Sequence, residues 1–104
     1  INYSDSPFIK DLSTLPNNEK CLPGIISYFD KSHDRGKIST KYYLAIRKQL
    51  SLMKYYEKHG WVAPLKFNLK ILKYQISYAP KHLISKNVAR DVVDLINKCQ
   101  SINY

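Results

Sequence analysis

Apolar residues recur along much of this chain at the interval of an α-helix. From Ser39 to about Lys58, Ile46, Leu50 and Met53 fall at i, i+4 and i+7, flanked by Tyr42 and Tyr43. That spacing puts one stripe of a helix against a core. Ser39 suits the N-cap, because its hydroxyl can accept from an otherwise unpaired N–H of the first turn. Gly60 suits the stop, since a left-handed residue closes a helix most cheaply as glycine. Arg47, Ser51, Lys54 and Lys58 repeat the same interval on a neighbouring face and form a basic track.

The run Gly60-Trp61-Val62-Ala63-Pro64 breaks the pattern. Pro64 fits the first turn of a new helix, where a missing N–H leaves no bond unmade. From Leu65 to about Tyr78 there are two apolar stripes. Leu65, Leu69, Leu72 and Ile76 make one; Phe67, Ile71, Tyr74 and Tyr78 make the other, on roughly the opposite side. Lys66, Lys70 and Lys73 lie between them on one flank, Asn68 and Gln75 on the other. A helix with two apolar faces is sandwiched in a bundle or shares one face with a partner. Ala79-Pro80 ends this segment. Ser85 can cap a last helix, with Val88, Val92, Leu95 and Cys99 inward and Ala89, Val93 and Ile96 broadening that face.

The N-terminal part reads differently. Pro7, Pro16 and Pro23, with Asn17-Asn18 between them, predict an extended arm over residues 1–24, with one helical turn at Phe8–Leu15. Ile25–Asp30 is expected to be a short helix buried through Ile25, Ile26 and Phe29. Residues 31–37 read as a polar loop. Period-two alternation and hairpin dipeptides are both missing, so strands are not expected. The prediction is all-α: one domain over 1–104, with a small bundle at 25–100. Three main helices, a short N-terminal helix and the extended arm make it up.

Length and composition agree with a single core. The chain has 104 residues and an apolar content of 44%, too short for two cores and too apolar for disorder. It contains no run of 18 apolar residues that would span a membrane. Beginning at Ile1 without a signal-type apolar stretch, it reads as a processed or trimmed chain. Cys21 and Cys99 form an even pair near the two ends. A bridge between them would close a long loop and add roughly 4 kcal/mol in the chain-entropy model; two free buried cysteines are the other reading.

Charge sharpens the picture. Residues 1–30 are net −2, residues 31–83 net +10 and residues 84–104 net +1, giving the total of +9. Two successive helices carry Arg47, Lys48, Lys54, Lys58, Lys66, Lys70 and Lys73 but only Glu57. A solvated face ordinarily mixes acids with its lysines. Unrelieved like charge costs stability, which points to a polyanionic or acidic partner that neutralises it. These side chains are expected to gather on one shared exterior surface. Tyrosine is used nine times against three Phe and one Trp. Tyr55, Tyr56, Trp61, Tyr74 and Tyr78 would add contact area beside the charge.

Enzyme chemistry finds little support. His33, His59 and His82 lack metal-ligand spacing, and neither cysteine sits in a CxxC, so no metal or cofactor is expected. Asp91 and Asp94 share a helix but are expected on its solvent side. There is no GxSxG, Walker loop or GxGxxG. Arg35, His33 and Asp34 match nuclease chemistry in residue type alone and read as a surface turn.

Several stretches resemble gastropod (abalone-type) sperm lysin. These are Ile25-Ile26-Ser27-Tyr28-Phe29-Asp30, and Ile38-Ser39-Thr40 opening a long basic helix with Ala45 one turn in. His59 with Trp61, Asn68-Leu69-Lys70-Ile71, and Pro80 followed by Val88, Asp91, Val92 and Ile96 are also similar. The matched positions span residues 25–96. Shorter length, two cysteines, and Gly60 with Pro64 in what is one long helix in the family are departures. The resemblance implies a secreted, cationic helical protein of the sperm acrosome that loosens the egg vitelline envelope without catalysis by binding a filamentous glycoprotein. It implies that Arg47, Lys54, Lys58, Lys66, Lys70 and Lys73 form basic tracks. It further implies that Phe67, Tyr74 and Tyr78 belong to an apolar contact surface that also supports a homodimer. Trp61 and Ile71 complete that surface in the present reading, and Lys48 joins the basic set.

Two other readings use the same residues. A nucleic-acid-binding module, such as a small RNA-binding subunit, would set lysines on phosphates and aromatics on bases. A membrane-active, fusion-associated protein would lay the lysine and apolar stripes at a lipid surface.

Overall fold

The computed structural model describes residues 21–101, which form four α-helices. They are α1 (Cys21–Asp34), α2 (Thr40–His59), α3 (Val62–Ser77) and α4 (Lys86–Ser101). Among the described residues there is no strand, only an isolated bridge between Ile38 and Ile84. The expected arm at 1–20, with its helical turn at 8–15, lies outside the described residues.

The first helix differs most from the sequence reading. It begins at Cys21, so residues 21–24 belong to the bundle and not to an arm, and it continues through Lys31–Asp34, read above as loop. Pro23 is the third residue of the helix, where no intrahelical N–H is required. Leu22, Ile25, Ile26 and Phe29 are all buried at helical spacing. Ser32 extends that stripe: it is buried, and its hydroxyl donates to the Tyr28 carbonyl one turn back at 2.8 Å. The chain then turns at Gly36, with φ 74°, through bonds from Gly36 N–H to His33 and Lys37 N–H to Ser32. The result is a fourth full helix of 14 residues rather than a short appendage.

The remaining boundaries follow the caps. Ser39 is the N-cap of α2, its side chain accepting from the Tyr42 N–H, and Gly60 ends that helix in the left-handed region at φ 71°. Ser85 accepts from the Val88 N–H at 3.3 Å and starts α4. Short connections force chain neighbours to run antiparallel. Each helix packs on two others: α1 on α2 and α4, α3 on α2 and α4, while diagonal pairs barely meet. This is a square up-down-up-down bundle.

Its centre is filled by one stripe from every helix, including Ile25 and Phe29, Leu50 and Met53, Leu69 and Leu72, and Val92 and Ile96. At one end the two long loops pair, with Ser39 N–H donating to Leu83 and Ser85 N–H donating to Lys37. At the other end Cys21 and Cys99 are joined in a disulfide, their Cα atoms 5.4 Å apart and 78 positions apart in sequence. The bond ties the start of α1 to the end of α4.

Candidate functional site

In a square bundle each helix turns one stripe to the core, two flanks to its neighbours and one crest to solvent. The crest of α3 is the second apolar stripe seen in the sequence. Phe67, Tyr74 and Tyr78 stand 63%, 68% and 72% exposed there. Ile71 sits among them half-buried. The crest of α2 carries Leu44, Lys48, Leu52 and Tyr55 one turn apart, all exposed. Trp61, half exposed, occupies the corner between the helices.

Every large exposed apolar side chain among the described residues lies on α2, α3 or that corner; α1 and α4 have none. Scattered surface apolars need no explanation, but seven on one side of a small domain mark a contact face. Leu44 and Leu52 were not singled out from the sequence, because Lys48 interrupts their stripe.

The corner is held by local geometry. Gly60 N–H bonds to Glu57 and Trp61 N–H to Tyr56 at 2.9 Å, closing α2 and fixing where Trp61 points. Tyr55 then meets His59 at 4.2 Å and Trp61 edge-on at 5.6 Å between ring centroids. Tyr56, half-buried against the core rather than exposed, backs Trp61. Further along α3, Tyr74 and Tyr78 contact each other at 4.6 Å.

The expected basic residues divide into three groups. Arg47 is a brace: its Nε donates to Asp30 at 3.1 Å and its guanidinium also donates to Ser51 at 2.8 Å. Tyr43 donates to the same Asp30 oxygen at 2.6 Å. Arg47 therefore joins α2 to α1 and leaves the free basic track; a partner 17 positions away carries no local signal in the sequence. Lys54 and Lys58, at helical spacing from Arg47, lie exposed along this same α1-side flank.

Lys66 and Lys70 lie on the other side. With Ala63, Phe67, Leu69, Cys99 and Gln100 they line a depression between α3 and α4. Lys73, half-buried, continues that flank. The two tracks therefore do not gather on one shared surface, as the charge pattern had suggested. They run along opposite edges of the α2–α3 face, because each helix turns its lysines toward the neighbour that is not the other one. Of the expected basic residues, Lys48 alone stands within the face.

The rest of the polar chemistry braces the fold. Tyr28 of α1 donates to Asp91 of α4 at 2.5 Å, so Asp91 is half-buried between helices and not on a solvent face. Burial first, then this bond, raises the ionisation of the Tyr28 hydroxyl above its ordinary value. The bond to Asp30, then burial, does the same for Tyr43. His33 stacks on Tyr43 at 4.0 Å and meets Thr40, beside exposed Asp34 and Arg35. His33 and Asp34 thus belong to the last turn of α1 and only Arg35 to the turn that follows, not to one surface turn as expected. Among the described residues no group of three metal-ligating side chains occurs, and no helix is long and apolar enough to cross a membrane.

No family model, no curated protein and no solved structure matches this chain.

Proposed function

We propose that this protein is a cationic, non-catalytic binding protein whose α2–α3 face docks an acidic macromolecule. The observation that carries the reading is that the seven large exposed apolar side chains among the described residues lie on one side, between two lysine edges. Aromatic and leucine side chains in the centre supply area removed from water, the main source of affinity. Lysines at the rim steer an acidic partner and select against a basic one, with strong dependence on salt. Charge alone would bind any polyanion; apolar area alone would invite aggregation. Together they favour an acidic protein surface with apolar side chains of its own.

The resemblance to sperm lysins gives this partner a more specific form: an acidic glycoprotein of the egg envelope, met by a secreted protein. Loosening then requires no bond cleavage. The bound protein competes for the apolar and charged contacts that hold glycoprotein filaments together.

The test is to measure retention of isolated egg-envelope glycoprotein, single-stranded RNA and anionic vesicles side by side over a salt series. Two triple variants accompany the parent, Phe67→Ser/Tyr74→Ser/Tyr78→Ser and Lys66→Gln/Lys70→Gln/Lys73→Gln. Glycoprotein retention is expected in the parent and lost in both variants, with helical circular dichroism kept. Unchanged retention in the apolar triple would remove the face from the mechanism. RNA or vesicle binding without glycoprotein binding would replace the partner.

A further inference from the structure

We infer that the depression between α3 and α4 is a binding groove for an extended acidic peptide segment of the partner. The inference rests on the reading of the protein as an acidic-partner binder and gives that partner a second, separable contact. The groove is open to solvent and has a volume of about 490 Å³. Leu69 and the bridged Cys99, both buried, form its apolar floor, and Ala63 and Phe67 add apolar lining. Lys66 and Lys70, one turn apart on one wall, are exposed, and Gln100 faces them from the other.

Charge decides the class of ligand. The flank of α4 that meets α3 runs through Lys86, Ala89, Val93, Asn97 and Gln100 and contains no carboxylate. Asp91 points the other way, to Tyr28 of α1. The lysines of α3 thus face a helix that cannot neutralise them. Two carboxylates two residues apart on an extended strand point to the same side and would meet Lys66 and Lys70, one turn apart, together. Gln100 offers both a donor and an acceptor for the backbone of such a strand.

The groove is also built before its ligand arrives. The last turn of a helix ordinarily frays. Here Cys99 sits in that turn, bonded to Cys21 with its side chain 1% exposed. The wall carrying Gln100 is held, and little ordering is left to oppose binding.

The experiment titrates the isotopically labelled full chain with the peptide acetyl-Glu-Leu-Glu-Glu-Leu-Glu-amide and follows amide shifts. Saturable shifts are expected at Lys66, Lys70 and Gln100. Gln100→Glu places a like charge in the groove and is expected to weaken the peptide about tenfold with helicity unchanged. Lys31→Gln, exposed on α1, is expected to stay within about twofold. The groove is overturned by shifts that cluster on Tyr74, Tyr78 and Leu52 instead, or by a Gln100→Glu affinity within about twofold of the parent. A heparin-derived tetrasaccharide that shifts the groove residues where the peptide does not would overturn the peptide class. If glycoprotein retention survives Gln100→Glu but fails in a Tyr74→Ser/Tyr78→Ser double, the groove falls and the face stands. Failure of the parent to retain any of the tested partners sinks both.

Discussion

The two halves of this bundle spend their side chains differently. The α1–α4 half is joined by a disulfide and by the Tyr28–Asp91 bond, and among the described residues it exposes no large apolar group. The α2–α3 half exposes seven such groups beside lysines, and α2 is tied to α1 by Asp30 with Arg47 and Tyr43. All four helices bury comparable stripes in one core. Core packing therefore does not distinguish the halves; their outer surfaces do. A small domain can leave one side apolar when the opposite side is covalently held, because the stability forgone on the exposed face is recovered by restricting the unfolded chain.

The largest effect should come from breaking that link. A Cys21→Ser/Cys99→Ser variant loses roughly 4 kcal/mol in the chain-entropy model. In a domain of this size that corresponds to a fall in Tm of roughly 15–30 °C. Thermal unfolding followed by circular dichroism, with and without reductant, measures it. A fall of only a few degrees would mean that packing alone holds α1 to α4, and the contrast between the halves would lose its basis.

Next comes a comparison within α3 itself. Leu72 is fully buried and Tyr74 is 68% exposed. Leu72→Ala is expected to cost about 2–5 kcal/mol through lost transfer energy and a cavity. Tyr74→Ser should stay within about 0.5 kcal/mol, as surface substitutions do. Urea denaturation of both variants decides it. A costly Tyr74→Ser would show that the crest is structural, and the face would lose its claim as a free contact surface.

Asp30 gives a smaller effect. Its carboxylate receives both Tyr43 and Arg47 at about one-third exposure. Asp30→Ala strands two donors that water can partly reach, so a loss of about 1–2 kcal/mol is expected. Arg47→Gln is expected to leave partner retention intact, unlike the Lys66/Lys70/Lys73 triple. Equal losses in the two would return Arg47 to the basic track and dissolve the distinction between brace and edge.

How much of this could be read from the chain differs by element. Ser39, Gly60 and Ser85 announced their helix boundaries, because capping is local chemistry that acts within three or four residues. The stripes of α3 were equally legible, down to the outward Phe67, Tyr74 and Tyr78. The extent of α1 was not. Pro23 and Gly24 look like arm residues unless they are placed in a first turn, and Ser32 looks like loop until a core position claims it. The direction of each basic track was hidden for a different reason. Periodicity places Lys54 beside Arg47, and Lys66 beside Lys70, but only packing says which neighbour each flank meets. Asp30 and Asp91 were legible as charges and illegible as braces, since their tyrosines arrive from other helices.

The finest contrast lies between adjacent tyrosines at the start of α2. Tyr43 donates to Asp30, while the Tyr42 hydroxyl is buried with no hydrogen-bond partner among the described residues. Tyr43→Phe and Tyr28→Phe should each cost about 0.5–1.5 kcal/mol. Tyr42→Phe should be neutral or slightly stabilising, because it removes a polar atom taken from water without repayment. Alkaline pH tests the same assignment with the sign fixed in advance. Tyr28 and Tyr43 ionise above the ordinary value of 10.0 in the folded protein. Their contribution is complete below pH 10.0 and is lost as pH rises through their folded values. The urea midpoint of the parent should therefore fall as pH rises above 10.0, and less steeply in Tyr28→Phe/Tyr43→Phe. Groups common to both proteins act on both curves alike, so the difference between them isolates the two hydroxyls. Parallel curves would mean that these bonds do not survive in solution and that α1 does not brace its two neighbours through them.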